Sequence, residues 1–384
     1  MEKFIPYGKQ FIDEEDIREV VKVLRSDFIT QGPGIKEFED ELAAYCDAKY
    51  AVVFNSGTSA LHGAYYAAGL RLEDEFITTP NTFVATSNAG LYLGSRPVFV
   101  DIEADTGNID ASQIEDRITQ KTKLIVPVHY AGHPAHMKYI REISQKYDLI
   151  VIEDACHAFG SRYSNERTGN CRHSDMTVFS FHPVKHITTG EGGAVLTNDK
   201  SFYEKLLYFR THGISRQDID NTAEGAWYYE MKSLGYNYRM TDIQAALGIS
   251  QLKKTDIFLE KRRYIARRYD RSFTDNPCFD IPVEKDYAYS SYHIYPIRLK
   301  FGFKEQRARL FGQLRERGLG VQVHYIPVYL HPYYQNLGYN RGLCPISEDF
   351  YRREISIPIY PAMSDDDIDA VITRIRDVFP EIKP

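Results

Sequence analysis

The sequence predicts an α/β fold: a large, mostly parallel sheet domain with helices on both faces, then a smaller α+β domain. Three observations carry this. Between residues 50 and 240, short apolar runs alternate with helical stretches. Those runs lack period-2 alternation, as expected of strands buried on both faces of a helix-covered parallel sheet. Beyond about residue 275 that rhythm gives way to a shorter mixture of strand and helix patterns.

The elements follow in order. A lead over 1–12 precedes a helix over 13–26, which Asp13 is placed to cap. The breaker "QGPG" separates it from a second helix over 35–46. "AVVF" (51–54) reads as a strand, followed by a helix over 58–68. "FITT" (76–79) leads to a helical stretch from Phe83. "RPVFV" (96–100), "KLIVPVH" (123–129), "LIVIED" (149–154) and "MTVFSF" (176–181) continue the pattern, and residues 193–196 form another apolar run. A single long helix over 241–273 is the natural link. "HIYPIRL", a helix over 304–317, "VQVHY" (321–325) and a helix near 364–378 make up the rest. The expected division is 1–240 for the large domain with its lead, 241–274 for the linking helix and 275–384 for the small domain.

Composition narrows the class. A chain of 384 residues is long enough for more than one domain. A net charge of −6 gives no basic field, so no nucleic-acid partner is expected. Cys46, Cys156, Cys171, Cys278 and Cys344 are scattered without a C-x-x-C pair, which suits a reducing compartment. No leader-like apolar segment opens the chain, and no run of about 18 apolar residues occurs, so no membrane partner is expected. The expectation is a soluble, cytoplasmic protein. Its 29 tyrosines suit polar-tipped aromatic contacts in pockets and interfaces.

The candidate chemistry sits at the C-terminal ends of strands, where open α/β sheets bind ligands. After the strand 51–54 comes Ser56-Gly57-Thr58-Ser59 and an alanine-rich helix. Small residues at a helix start expose N–H groups to an anion, and the hydroxyls of Thr58 and Ser59 add donors. The segment is neither a Walker loop nor G-x-G-x-x-G; an ordinary N-cap is the competing reading. "LIVIEDACHAFGSRY" ends a buried strand in Glu153 and Asp154, with His157 three residues on. An acid there caps the next helix or pairs with a positive ligand atom. His157 taken alone reads as a core histidine. "FSFHPVKHITTGEGGAVLTND" places one primary amine, Lys185, between two apolar strands. Desolvation there lowers a lysine from about 10.4, as a Schiff-base amine requires. Ser180 adds a hydroxyl at the same strand end. Together a phosphate cradle, a strand-end acid and a loop lysine fit pyridoxal 5'-phosphate, with Asp154 on the pyridinium nitrogen and Lys185 on the aldehyde. Phe83 could stack on the ring or serve as a core aromatic.

"NSGTSAL", "ITTPNTFVATSNA", "EDACHAFGS", "FSFHPVKHITTGEGGAVLTND" and "LGYNYRMTDIQAALGISQL" resemble, in order and spacing, the DegT/DnrJ/EryC1/StrS family of nucleotide-sugar aminotransferases. That family is a branch of the fold-type I pyridoxal phosphate transferases. The resemblance covers nearly the whole chain. It implies Lys185 as the lysine bonded to the cofactor, Asp154 on the ring nitrogen and His157 near the ring hydroxyl. It implies Thr58, Ser59 and Ser180 around the phosphate, joined by Asn237 from a partner subunit, hence a homodimer with shared active sites. The stretches over 4–33 and 320–339 also resemble the branch that aminates C4 of a UDP-linked 4-keto sugar in pseudaminic acid biosynthesis, with L-glutamate as donor. By that likeness Tyr7, Asp27, Phe28, Ile29, Thr30, Gly57, Ser180, Gln322, Val323, His324 and Tyr325 line the sugar-nucleotide pocket. Bacillosamine-type and perosamine-type C4 aminotransferases are the neighbouring alternatives.

Some relatives carry histidine in place of the lysine and act as sugar dehydratases; Lys185 holds that position here, followed by His186. Two readings from other classes remain. A non-catalytic sugar-nucleotide binder sits poorly with every cofactor position filled. A short-chain NAD oxidoreductase lacks its glycine fingerprint after the first strand. No metal is expected: in "HYAGHPAH", Gly132 and Pro134 break the helix that would align His129, His133 and His136.

Overall fold

The computed structural model describes residues 3–216, 219 and 225–379. Its centre is a seven-stranded sheet of β1 (Tyr50–Phe54), β2 (Glu75–Thr78), β3 (Arg96–Phe99), β4 (Thr122–Val126), β5 (Ile150–Asp154), β6 (Met176–Ser180) and β7 (Gly193–Thr197). The spatial order is β1-β7-β6-β5-β4-β2-β3. Strands β3, β2, β4, β5 and β6 run parallel, whereas β7 is antiparallel to both β6 and β1. The connection from β6 to β7 is a loop over 181–192 with no crossover helix, so the chain returns antiparallel beside the strand it has just left. The register aligns Ser180 with Gly193 and Gly193 with Phe54. The ends of β1, β5 and β6 therefore share one edge with the start of β7.

Helices cover both faces, each with its own core. On one face Phe38 and Leu42 of the helix Pro33–Cys46 and Ala245 and Ile249 of the helix Asp242–Leu252 pack on Phe179 and Leu196. On the other, Leu61, Ala64 and Tyr65 of the helix Gly57–Ala67 pack on Phe54, Phe76 and Val178. A further core gathers Tyr269, Tyr295, Ile355 and Ile372 around an antiparallel sheet of Phe279–Asp280, Tyr295–Leu299 and Glu354–Ile357. Ile5 joins this core and bridges to Leu319. No helix among the described residues is long and apolar enough to cross a membrane.

Three local expectations are corrected. The stretch 241–273 is two helices, Asp242–Leu252 and Thr255–Phe273, parted at Lys253–Lys254. Lys254 turns aside to pair with Asp13 at 2.6 Å and Asp16 at 2.9 Å, an ion-pair demand that helical periodicity does not reveal. Residues 321–325 form no strand, only a bridge between Gln322 and Ser356. The stretch 304–317 opens as a tight 3₁₀ turn, Phe301–Gln306, before the helix Arg307–Glu316.

Candidate active site

A cavity of about 450 Å³ opens at the shared sheet edge. Its lining includes Gly57, Thr58, Phe83, Asp154, His157, Ser180 and Lys185, together with Tyr7 from the lead and His324 and Tyr325 from the C-terminal part of the chain. A larger and more open groove of about 700 Å³, beside Arg96, Tyr339 and Arg341, contains none of these groups.

The helix Gly57–Ala67 meets the cavity with its N-terminus. Ser56 and Ser59 form a capping box, each hydroxyl accepting from the other's backbone N–H at 3.1 Å. A Cβ on Gly57 would lie 2.8 Å from the Cβ of Ser180, so only glycine lets the helix start approach the end of β6 this closely. The result is a cradle of N–H groups and hydroxyls suited to an anion. Ser59 itself is buried outside the cavity: its hydroxyl also meets Asn55 Oδ1 at 2.7 Å, so capping occupies it.

Strand β5 sends its last two acids to opposite sides. The Asp154 carboxylate faces the cavity, accepting from the Thr86 hydroxyl at 2.6 Å and from the Cys156 N–H at 3.2 Å. Glu153 turns away, meeting His129 Nε2 at 2.7 Å and the hydroxyls of Ser174 at 2.5 Å and Thr177 at 3.0 Å. Burial raises the Glu153 carboxyl, but the His129 hydrogen bond and the two hydroxyls outweigh it and hold it below its ordinary value. His129 Nδ1 accepts from Ala135 N and His133 Nε2 from Lys285 N, so the two imidazoles serve different partners. Among the described residues no group of three or more His, Cys, Asp or Glu is placed to hold a metal ion.

Lys185 sits half-buried in the loop between β6 and β7. The bonds Phe181 N to Gly192 O (2.9 Å) and Thr189 N to Phe181 O (3.0 Å) close that loop. Burial, more than any charge, lowers its amine below the ordinary lysine range. Its Nζ lies 3.5 Å from His293 Nε2. His157 packs against His293, ring centroids 4.3 Å apart, and its Nε2 meets the Tyr325 hydroxyl at 2.9 Å. His157 Nδ1 is buried without a partner. Phe83 is 59% exposed at the mouth, its ring 6.4 Å from that of Tyr325.

Several expected positions lie elsewhere in this chain. Asn237 is exposed and outside the cavity lining, its carbonyl accepting from Asn55 Nδ2 at 3.4 Å. Asp27, Phe28, Ile29 and Thr30 also stay outside it. The Ile29 carbonyl accepts from Asp242 N at 3.0 Å, which holds this segment at the surface with Phe28 and Ile29 exposed. Gln322 and Val323 flank the cavity without lining it, because Gln322 exchanges backbone bonds with Ser356. Sequence reading missed Thr86 and His293. "YHIYPIRL" carries His293 at the head of an apolar strand, where nothing local distinguishes it from a core residue.

A half-buried lysine, a strand-end carboxylate and a helix start around one cavity suit the site of a fold-type I pyridoxal phosphate enzyme. The residues fit that cofactor: Gly57 leaves room at the cradle, and His157 offers a free buried ring nitrogen in the same cavity. The chain belongs to the DegT/DnrJ/EryC1/StrS aminotransferase family, whose profile matches residues 10–376. It is an aminotransferase, and its cofactor is pyridoxal phosphate. It is 41% identical to the UDP-4-amino-4,6-dideoxy-N-acetyl-beta-L-altrosamine transaminase of Campylobacter jejuni, over 99% of this chain and 98% of that one. It is 40% identical to the spore coat polysaccharide biosynthesis protein SpsC of Bacillus subtilis, over 98% and 97%. Among solved structures, PseC of Helicobacter pylori, an aminotransferase involved in the biosynthesis of pseudoaminic acid, superposes with a TM-score of 0.92 at 39% identity, covering 99% of this chain and all of that one. A Streptococcus pneumoniae protein, Spr1654, described as a sugar aminotransferase and solved in its PLP-form, superposes equally at 0.92 with 31% identity, over 99% and 100%.

Proposed function

We propose that this protein moves the amino group of L-glutamate to C4 of a UDP-linked 4-keto-6-deoxy-N-acetylhexosamine. The product is UDP-4-amino-4,6-dideoxy-N-acetyl-β-L-altrosamine, the amino sugar named in its Campylobacter relative. The observation that carries the reading is the meeting of Lys185, Asp154 and the Gly57–Ala67 helix start on one cavity that Tyr7, His324 and Tyr325 also line.

Each residue then has a task. The helix start, with Thr58 and Ser180, takes the cofactor's phosphate. Bound pyridoxal phosphate supplies the electron sink that stabilises a carbanion. Asp154, fixed by Thr86 and the Cys156 N–H, holds a proton on the ring nitrogen and so keeps that sink strong. Lys185 anchors the cofactor covalently. Once free, its Nζ takes the proton from the carbon bearing the amino group and later returns one. Burial lowers this amine below the ordinary lysine range, which favours its acting as a base. His157 reaches toward the ring hydroxyl with its free nitrogen, and Phe83 covers the ring. Tyr7, His324 and Tyr325 face the sugar nucleotide, with Gln322 and Val323 flanking them and segment 27–30 outside this cavity.

The functional unit on this reading is a cytoplasmic homodimer in which Asn237 completes the partner's phosphate site. Its exposure and its place outside its own cavity support that arrangement. The chain divides at 240 and 274 into a large cofactor domain, a linking helical segment and a small domain. The core around Tyr295 and Ile372 supports a separate C-terminal unit, which Ile5 of the lead and Tyr269 of the linking segment also join.

The test supplies the two C5 epimers of the UDP-4-keto sugar separately, with L-glutamate, and identifies products by NMR. Faster conversion of the L-arabino epimer is expected. Faster conversion of the D-xylo epimer would move the protein to the bacillosamine-type branch.

A further inference from the structure

Arg262, on the helix Thr255–Phe273, is fully buried. Its Nη1 donates to three carbonyls, of Tyr292 at 3.2 Å, His293 at 3.1 Å and Ile359 at 3.0 Å. Its Nε and Nη2 are buried without partners, and no carboxylate pairs with it among the described residues. Burial lowers it to about 9, so it still carries its charge at neutral pH. An unpaired buried guanidinium is costly, and a neutral side chain of similar shape would be cheaper. Two of the carbonyls it holds flank His293, whose Nε2 faces Lys185 Nζ at 3.5 Å.

We propose, on the reading of Lys185 given above, that Arg262 is a positioning residue for that amine. It fastens the backbone that carries His293, and it keeps an unneutralised positive charge within electrostatic reach of Lys185. The consequence is a free amine poised to accept a proton.

The surroundings of Lys185 leave this task open. Asp154 and Cys156, from the end of β5, push the amine upward, while burial and Arg262 push it down. Burial carries the Cys156 thiol far above its ordinary value, so at neutral pH it is uncharged and Asp154 is the anion to be offset. His157, His293 and His324 line the same cavity and His186 packs on His293, and burial holds all four neutral; His182 and Glu191 also line the cavity, on its exposed side. Among the described residues, Arg262 is the cation that pushes against Asp154 at Lys185.

The test titrates Lys185 in cofactor-free protein. Brief acetylation with acetic anhydride at a series of pH values, read by peptide mass spectrometry, gives the half-point of the amine. Arg262→Met is expected to raise that half-point by about one pH unit. Arg262→Gln keeps donors for the carbonyls without the charge and takes the place of Arg262→Met should that variant fail to fold. A half-point in the uncharged variant equal to the parent's would overturn the proposal. Borohydride fixation of the cofactor in the parent, mapped to a lysine other than 185, would instead overturn the reading of Lys185 itself.

Discussion

At the scale of single residues, the site depends on an amine and a carboxylate held by neighbours of different origin. Lys185→Ala removes the proposed covalent anchor while leaving the loop bonds at Phe181, Thr189 and Gly192 in place. It should fold, bind cofactor reversibly and retain no borohydride-fixed cofactor; fixation at the parent's stoichiometry would contradict the assignment. Asp154→Asn keeps the bond from the Thr86 hydroxyl but loses the negative charge. Turnover should fall by at least about a hundredfold, with the cofactor still bound, as for loss of a group that manages a proton in the transition state.

Lys185, Asp154, Gly57, Thr58 and Ser180 were legible because each stands in a short contiguous pattern at a strand end. Thr86 and His293 were not, since they arrive from 68 and 108 residues away in sequence and only the fold makes them neighbours of Asp154 and Lys185. Ser59 shows the converse. Its pattern suits an anion cradle and a capping box equally, and in this chain its hydroxyl serves the cap.

At the scale of elements, the approach of the Gly57–Ala67 helix to the end of β6 sets the cradle. Gly57→Ala adds a methyl 2.8 Å from the Ser180 Cβ and 3.4 Å from its Cα, so the strand end must shift. Alanine costs nothing in helix propensity. The variant should therefore keep most of its thermal stability while cofactor affinity drops about tenfold, or about 1.4 kcal/mol, measured by absorbance titration of cofactor-free protein. An unchanged affinity would remove the helix start from phosphate binding. The parallel run from β3 to β6 was legible from apolar runs alternating with helices. The antiparallel β7 was not, because an unalternating run such as 193–196 records burial on both faces and says nothing of direction.

At the scale of the whole molecule, two kinds of buried group set the pH response. Burial holds His157, His186 and His293 well below 6.5 and His324 at about 3, so each is neutral when folded and gains a proton on unfolding below 6.5. Their contribution is present above 6.5 and is lost as pH falls, at about 1.4 kcal/mol per pH unit for each group. Burial raises Glu354 from 4.5 to about 8, so it acts oppositely: stability falls as pH rises from 4.5 to 8. Together with His62 and His133, which burial also lowers, these histidines outweigh Glu354 and the other carboxyls that burial raises, Glu103 and Asp270, and leave a net loss between pH 6.5 and 4.5. Denaturant titrations should show it, and Glu354→Gln should steepen it by removing the opposing group; a flat response in both proteins would contradict this balance. The assembly is testable on the same scale. Mixing the inactive Lys185→Ala chain with an inactive Asn237→Ala chain should restore part of the activity, because a hybrid dimer rebuilds one complete site. No recovery after proven exchange of subunits would mean that each site is built within one chain.

The central claim is amino transfer at Lys185. Its most direct measurement is the 2-oxoglutarate released when L-glutamate is added to the cofactor-loaded protein without any sugar. One equivalent per chain from the parent, and none from Lys185→Ala, is the predicted result. Release of no 2-oxoglutarate by the loaded parent, or equal release by Lys185→Ala, would contradict it.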